Sequence, residues 1–502
     1  MNTMFLCVAA GAVLAAGKVP SGMDAFSDFS QSPGKLKPEL HSASWVVRAS
    51  PRTMDGDDEA LKPLHLTAFR THDAPLVSSG QRIVDTHFIF PLMHLDANDP
   101  KSYFFGPTDH YLELQFALGM KCWYRLGTSI EHTGGWGCNT LNPPDHAKYA
   151  EVLAGIVRHY TKGWANGRKW GDRMQYWELF NEPDIAACWR GTKPQFIDLF
   201  VTCLKRLKTE FPELKVGGPA FGWANVGYLR ELLKACKAAD VKPDFISWHS
   251  YSQQPVHVLD QPAQMRKACA EEGFGDCELV MNEWHFLPNG KWKGIQGGTY
   301  QEKLAQRTGP RGISSVMSAA FTVQVETGFH DTPLSQSYFY GSGYNGMWGY
   351  ADGYGRFNKV YYAMKLMGEM MADCEDRSAN ADRRLDSTVR SFGAWTKDRT
   401  GARLVVSDCG GKRGKDAKTL KVAVKGLDGY TVATVTVLDD TRDLVADTNC
   451  CTFANGVLSL TKADTESAVF VVDFTRGKCG RRSGAVDPLL RLLWRNDIIL
   501  VF

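Results

Sequence analysis

A chain of 502 residues, 44% hydrophobic and 23% charged, is long enough for a large catalytic domain with a smaller companion, and its composition excludes intrinsic disorder. The net charge of +3, from 58 basic and 55 acidic side chains, gives no electrostatic footprint for nucleic acid. Thirteen cysteines with no CxxC pair point to neither a structural zinc site nor a disulfide scaffold.

The apolar run at 4–16 ends in Ala15-Ala16-Gly17, so residues 1–17 read as a secretory signal and the protein is expected to be secreted or periplasmic. No later run reaches the roughly 18 apolar residues of a membrane span. Residues 18–41, rich in Ser, Pro and Lys, read as an irregular lead-in. Strand-like runs then occur at 42–47, 65–70, 120–126, 175–180, 214–218, 245–251, 278–285 and 335–340. Helical patterns separate them at 109–118, 145–160, 226–239, 261–272 and 301–324, with a last helix at 356–371. The clearest helix carries Phe196, Leu199, Phe200, Cys203, Leu204, Leu207 and Phe211 at three- and four-residue spacing. Eight alternations across 40–372 predict an α/β fold, a (β/α)₈ TIM barrel. Beyond residue 373 the period falls to two, and short runs divided by Gly, Asp and Asn predict a C-terminal β-sandwich domain over 385–475. The tail at 477–502 suggests no role.

Strand four ends in Asn181-Glu182-Pro183, where proline stops the ladder, and strand seven ends in Asn282-Glu283-Trp284-His285. Barrel strands share one mouth at their carboxyl ends, so Glu182 and Glu283 should face each other there. Two opposed carboxylates are the equipment of glycosidic hydrolysis; a gap of about 5 Å gives retention, and one of about 6.5–9.5 Å admits water and gives inversion. Asn181 is placed to bond a sugar 2-hydroxyl. His249 and Tyr251, from strand six, should reach the carboxylates, and desolvation is expected to keep Glu182 protonated near neutral pH. Arg70 can brace the nucleophile, and His72 and Asp73 can meet substrate hydroxyls. Trp136, Trp177, Trp284 and Trp348 are candidate walls, Arg125 and His285 candidate supports, and Glu178, set back on its strand, calls for an internal ion-pair partner. Neither metal nor cofactor is expected: His87, His94 and His132 stand apart in loops, and no Gly-rich strand-to-helix fingerprint occurs.

The run Trp177-Glu178-Leu179-Phe180-Asn181-Glu182-Pro183 resembles the acid/base motif of the clan A retaining (β/α)₈ glycoside hydrolases, whose nucleophile follows strand seven, as Glu283 does. With Arg70-Thr71-His72-Asp73, Ser247-Trp248-His249-Ser250-Tyr251 and the C-terminal sandwich, the chain is similar to glycoside hydrolase family 39, the β-xylosidase and α-L-iduronidase family. That resemblance implies double displacement, with Glu283 forming the glycosyl-enzyme and Glu182 acting first as acid, then as base. The expected partner is an oligosaccharide or polysaccharide fragment attacked from its end. Met281-Asn282-Glu283-Trp284-His285 departs from the β-xylosidase form on both sides of the Glu, which leaves galactosides and arabinofuranosides beside xylosides. An endo-acting glycanase and a non-catalytic carbohydrate-binding barrel are the alternatives.

Overall fold

The computed structural model describes residues 18–44, 60–72, 83–128, 141–295, 297–341, 347–351, 356–382, 388–410, 418–463 and 465–477. Within these, eight parallel strands close into a barrel: β1 (Ser42–Ser44), β2 (Ala68–Arg70), β3 (Lys121–Leu126), β4 (Tyr176–Leu179), β5 (Lys215–Phe221), β6 (Phe245–Ser252), β7 (Glu278–Phe286) and β8 (Gln336–Phe339). Seven helices alternate with them: α1 (Gly106–Ala117), α2 (His146–Lys162), α3 (Lys193–Glu210), α4 (Val226–Ala238), α5 (Gln261–Glu271), α6 (Val316–Phe329) and α7 (Lys359–Asp373).

The amphipathic pattern of α3 places Phe196, Leu199, Phe200, Cys203, Leu204 and Leu207 in the core, and a capping box starts the helix: Gln195 N–H donates to Thr192 while the Gln195 side chain accepts from Thr192 N–H. Such a cap contributes about 1 kcal/mol. Inside the barrel, Ala68, Trp123, Phe245, Val280 and Tyr338 form an apolar plug at the amino end. Along β6, Phe245, Ser247, His249 and Tyr251 share the inward face by strand alternation, so the interior changes from apolar to polar toward the mouth.

One long helix at 301–324 does not form. The chain makes a helix at Tyr300–Thr308, stops at Gly309-Pro310, and resumes as α6, every residue of which is buried except the half-buried Met317. Proline lacks the N–H a continuing helix needs, so the break was written in the composition.

Two sheets make up the rest. One, of six strands, runs Cys374–Arg377, Val389–Thr396, Gly401–Asp408, Ala468–Arg476, Tyr430–Leu438, Asp443–Ala446 in spatial order. The other, of five, runs Ala379–Asp382, Ala25–Asp28, Thr419–Lys425, Val457–Thr461, Cys451–Ala454. The lead-in is therefore not wholly irregular: Ala25–Asp28 is fully buried and pairs antiparallel with Ala379–Asp382 and parallel with Thr419–Lys425. Phe392, Val405 and Leu438 of the six-stranded sheet pack on Ala319, Val323, Leu366 and Met367 of α6 and α7. Gln324 Nε2 donates to Thr388 O at 2.5 Å and Ser407 O at 3.1 Å, tying the same contact. Among the described residues, no helix is long and apolar enough to cross a membrane. The segment read as a secretory signal and the tail after Gly477 lie outside the described residues.

Candidate active site

The backbone itself aims the two glutamates. After β4 the chain turns through Phe180 (φ 73°) and Glu182 (φ 48°), and Glu182 N–H donates at 2.8 Å to the carbonyl of Ala220, itself at φ 57°. A left-handed conformation at a non-glycine residue costs on the order of 1–2 kcal/mol, and three such residues converge on one carboxylate. In β7 the register slips: Trp248 pairs with Met281 and His249 with Glu283, so Asn282 is one residue too many. Because of this bulge both Asn282 and Glu283 face inward. Asn282 Nδ2 reaches Glu178 Oε1 at 2.7 Å, and Glu283 Oε1 reaches Arg70. Without the extra residue, alternation would turn Glu283 toward the outer helices.

Arg70 is the floor of the site. It is fully buried, and its planar fork donates from Nε to Glu178 Oε2, from Nη1 to Glu283 Oε1 and from Nη2 to Asn181 Oδ1, each at 2.7 Å. Glu178 is the internal partner, further held by Ser247 Oγ at 2.6 Å. Since Asn181 Oδ1 is taken by Arg70, its Nδ2 is the group left to face a ligand.

Above this floor, one ligand atom each from Glu182, His249 and Glu283 lie within 4.8 Å of one another. His249 Nδ1 is 2.8 Å from Glu182 Oε1 and 3.3 Å from Glu283 Oε2. Tyr251 donates its hydroxyl to Glu283 Oε2 at 2.7 Å, and burial pushes its phenol well up, so it stays a donor. His72 Nε2 stands 3.5 Å from Glu283 Oε1, and the Cys188 thiol donates to Glu182 Oε2 at 3.3 Å. Glu182 keeps 17% of its side-chain surface open and Glu283 keeps 5%, so both remain accessible from the mouth. Reading along the chain found no such His/carboxylate cluster, because its members come from three strands. Its spacing would also suit a cation, but the guanidinium on Glu283 already supplies positive charge there.

The protonation expected of Glu182 is reversed. Burial does push it up, but the charge of His249, the hydrogen bond from His249 and the Cys188 thiol together bring it below the ordinary 4.5. Burial pushes His249 down, yet the charges of Glu283 and Glu182 carry it above the ordinary 6.5. The shared proton therefore favours His249 over Glu182, and the pair titrates as a unit. The raised histidine adds stability that is full below 6.5 and is lost as pH rises through its folded value; the lowered glutamate adds stability above 4.5 that is lost as pH falls through its own. The Tm gap between the protein and His249→Asn should thus be widest between pH 4.5 and 6.5 and shrink on either side. A gap that stays flat from acid to alkali would contradict the ion pair.

Among the other candidates, the Trp348 ring lies 5.5 Å from Tyr251 and 4.8 Å from His285. Burial lowers His285 to about 4, leaving it a neutral ring beneath Trp348. Trp284 is not a wall. It follows the bulge, faces outward, and packs at 5.3 Å on Phe329 and 5.2 Å on Phe339 in the core. Trp177 likewise sits outside the barrel, 5.1 Å from Tyr124, with its Nε1 donating to Met174 O. Arg125 is fully buried and pairs with Asp85, not with either site glutamate. Asp73 and Trp136 lie outside the described residues.

The sequence profile of glycosyl hydrolases family 39 matches residues 75–339, more than half of the chain. The chain belongs to this family. The β-xylosidase of Geobacillus stearothermophilus is 24% identical over 179 residues, 34% of this chain and 34% of its own. That of Caldicellulosiruptor saccharolyticus is 27% identical over 185 residues, 34% and 36% of the respective chains. Each alignment thus spans about a third of the relative. Among solved structures, a glucosidase from Croceicoccus marinus superposes with a TM-score of 0.66 at 21% identity, covering 90% of this chain and 98% of its own. A monomeric β-xylosidase from Caulobacter crescentus CB15 gives 0.60 at 16%, covering 90% and 99%. At these identities the likeness is one of fold.

Five residues at this family 39 site escaped the sequence reading: Ser247, Asn282, Cys188, Trp292 and Tyr340. Ser247 and Asn282 lie within motifs already singled out, but what they hold, Glu178, is visible only in space. Cys188 lies six residues past Glu182 with no local pattern to mark it. Trp292, 5.0 Å from Tyr251 and 39% exposed, completes an aromatic rim with Trp348 and Tyr340.

Proposed function

We propose that this family 39 protein is a retaining, exo-acting O-glycoside hydrolase that releases a terminal sugar. The observation that carries the reading is the approach of Glu182 and Glu283 to within 4.8 Å, close to the separation at which a carboxylate attacks carbon directly instead of activating water. Glu283 attacks the anomeric carbon while the proton shared by Glu182 and His249 passes through Glu182 to the departing oxygen. The C–O bond to the leaving group breaks and an ester bond to Glu283 forms. Glu182, now a carboxylate, takes a proton from water, which displaces Glu283 and restores both groups. Asn181 Nδ2 is offered to the sugar 2-hydroxyl, a contact that strengthens as positive charge builds on the ring.

For the sugar, the two β-xylosidase relatives support a β-xyloside, while Trp284-His285 after the nucleophile keeps galactosides and arabinofuranosides in the test set. A panel of aryl glycosides varied in sugar and anomer, followed by NMR of the first-formed product, decides activity, substrate and stereochemistry together. Retention is expected, and Glu182→Ala should keep turnover of activated aryl glycosides when azide is added, yielding a glycosyl azide of unchanged anomeric form. Inversion, or azide without effect, overturns the assignment of roles. The alkaline limb of kcat/KM should lie above pH 6.5, because the proton needed for the first step is stored on a histidine whose pKa is raised.

A further inference from the structure

Glu182 separates two spaces. Its Oε1 faces His249, and beyond it Glu283 and Tyr251, where the sugar ring would react. Its Oε2 faces Cys188, which also lines a cavity of about 310 Å³ between the segments that follow β2, β3 and β4. The wall of that cavity is formed by Pro91, Met93, Leu141, Tyr149, Trp189 and Phe196, and among the described residues none that lines it is Asp, Glu, Lys or Arg. Its polar side chains among the described residues are few: His87, Thr128, Asn142, Asn181, the Cys188 thiol and the Tyr149 hydroxyl. A sugar carries hydroxyls around its whole edge and would leave many of them without partners on such a wall. The aromatic rim of Tyr251, Trp292, Tyr340 and Trp348 belongs to the opposite, nucleophile side, so this cavity is a separate feature of the mouth.

We propose that this cavity receives the leaving group, and that it selects glycosides whose aglycone is an apolar ring system, such as a phenol or a fused-ring alcohol, over glycosides whose leaving group is another sugar. This rests on the glycosidase reading and adds the chemical class of the aglycone. A volume of about 310 Å³ equals roughly ten waters at about 30 Å³ each, room for a fused ring system.

The test uses one sugar, that identified by the aryl-glycoside panel, joined to 2-naphthol, to phenol, to a second sugar, or to fluoride. Phenol and 2-naphthol are close in acidity, so they differ chiefly in apolar area. The naphthyl glycoside should exceed the phenyl one in kcat/KM by roughly tenfold, the worth of a few buried carbons, and the disaccharide should rank last. Leu141 is 54% exposed, so Leu141→Asp changes the wall without threatening the core. It should lower the ratio of naphthyl glycoside to glycosyl fluoride turnover by tenfold or more, since fluoride leaves the cavity empty. A disaccharide turned over as well as the naphthyl glycoside, or a ratio that Leu141→Asp does not move, overturns the proposal. Fluorescence titration with free 2-naphthol separates this from the glycosidase reading. Binding that is lost in Leu141→Asp supports the pocket even if no glycoside, the fluoride included, is hydrolysed; no binding, together with fluoride hydrolysis, removes the pocket and leaves the enzyme.

Discussion

Glu283→Gln is expected to reduce kcat on an aryl glycoside by a factor on the order of 10⁴ or more, the scale of losing a covalent nucleophile whose partners remain in place. Glutamine keeps the shape and an oxygen for Arg70 Nη1, and its amide can meet the Tyr251 hydroxyl, so the surrounding bonds at 2.7 Å need not break. Tm should accordingly change little. The direct counterpart is trapping: a 2-deoxy-2-fluoro glycoside should add its glycosyl mass to the peptide containing Glu283 in the wild-type protein and to none in the variant. Activity within about tenfold of wild type, or label on a different carboxylate, would take the nucleophile's role from Glu283.

The second large effect concerns folding as much as chemistry. Arg70 is fully buried between Glu178, Glu283 and Asn181, and Arg70→Met would leave two carboxylates without their cation. Removing one member of a buried ion pair costs about 3–5 kcal/mol, because the partner's desolvation is no longer offset. For a chain of 502 residues that corresponds to a fall in Tm of roughly 3–5 °C. Arg70→Lys should recover little, since an ammonium cannot present three coplanar donors to three acceptors. Arg70→Met combined with Glu178→Met should be more stable than Arg70→Met by itself, the uncompensated charge being removed with its partner. A single Arg70→Met variant that melts within about a degree of wild type would show that the network carries no structural weight.

The residues legible in the sequence were those marked by a local event. Proline after Asn181-Glu182, a second Glu after a buried run, and the alternation of periods 3.6 and 2 each leave a trace within ten residues. What was not legible arises where distant segments meet. The bulge at Asn282 is the clearest case: Glu283 and Trp284 are adjacent on a strand and cannot both face the mouth, so placing both there broke the alternation rule, and the structure resolves the conflict in favour of Glu283. The proton on Glu182 was misplaced for a related reason. Burial was inferred correctly, but the opposing effect of His249 depends on a distance of 2.8 Å between strands four and six. Trp292 was passed over because it follows Pro288-Asn289-Gly290 in a loop, where no period signals direction.

The strand Ala25–Asp28 joins partners made at opposite ends of synthesis, since Thr419–Lys425 emerges from the ribosome almost four hundred residues after it. The five-stranded sheet can therefore zip shut only after the barrel's sequence has been completed, and until then a short apolar segment waits unclaimed. Trimming the chain past this point, as one would a dispensable leader, would not shorten the molecule so much as pull a middle plank from its far wall and expose new edges on either side of the gap.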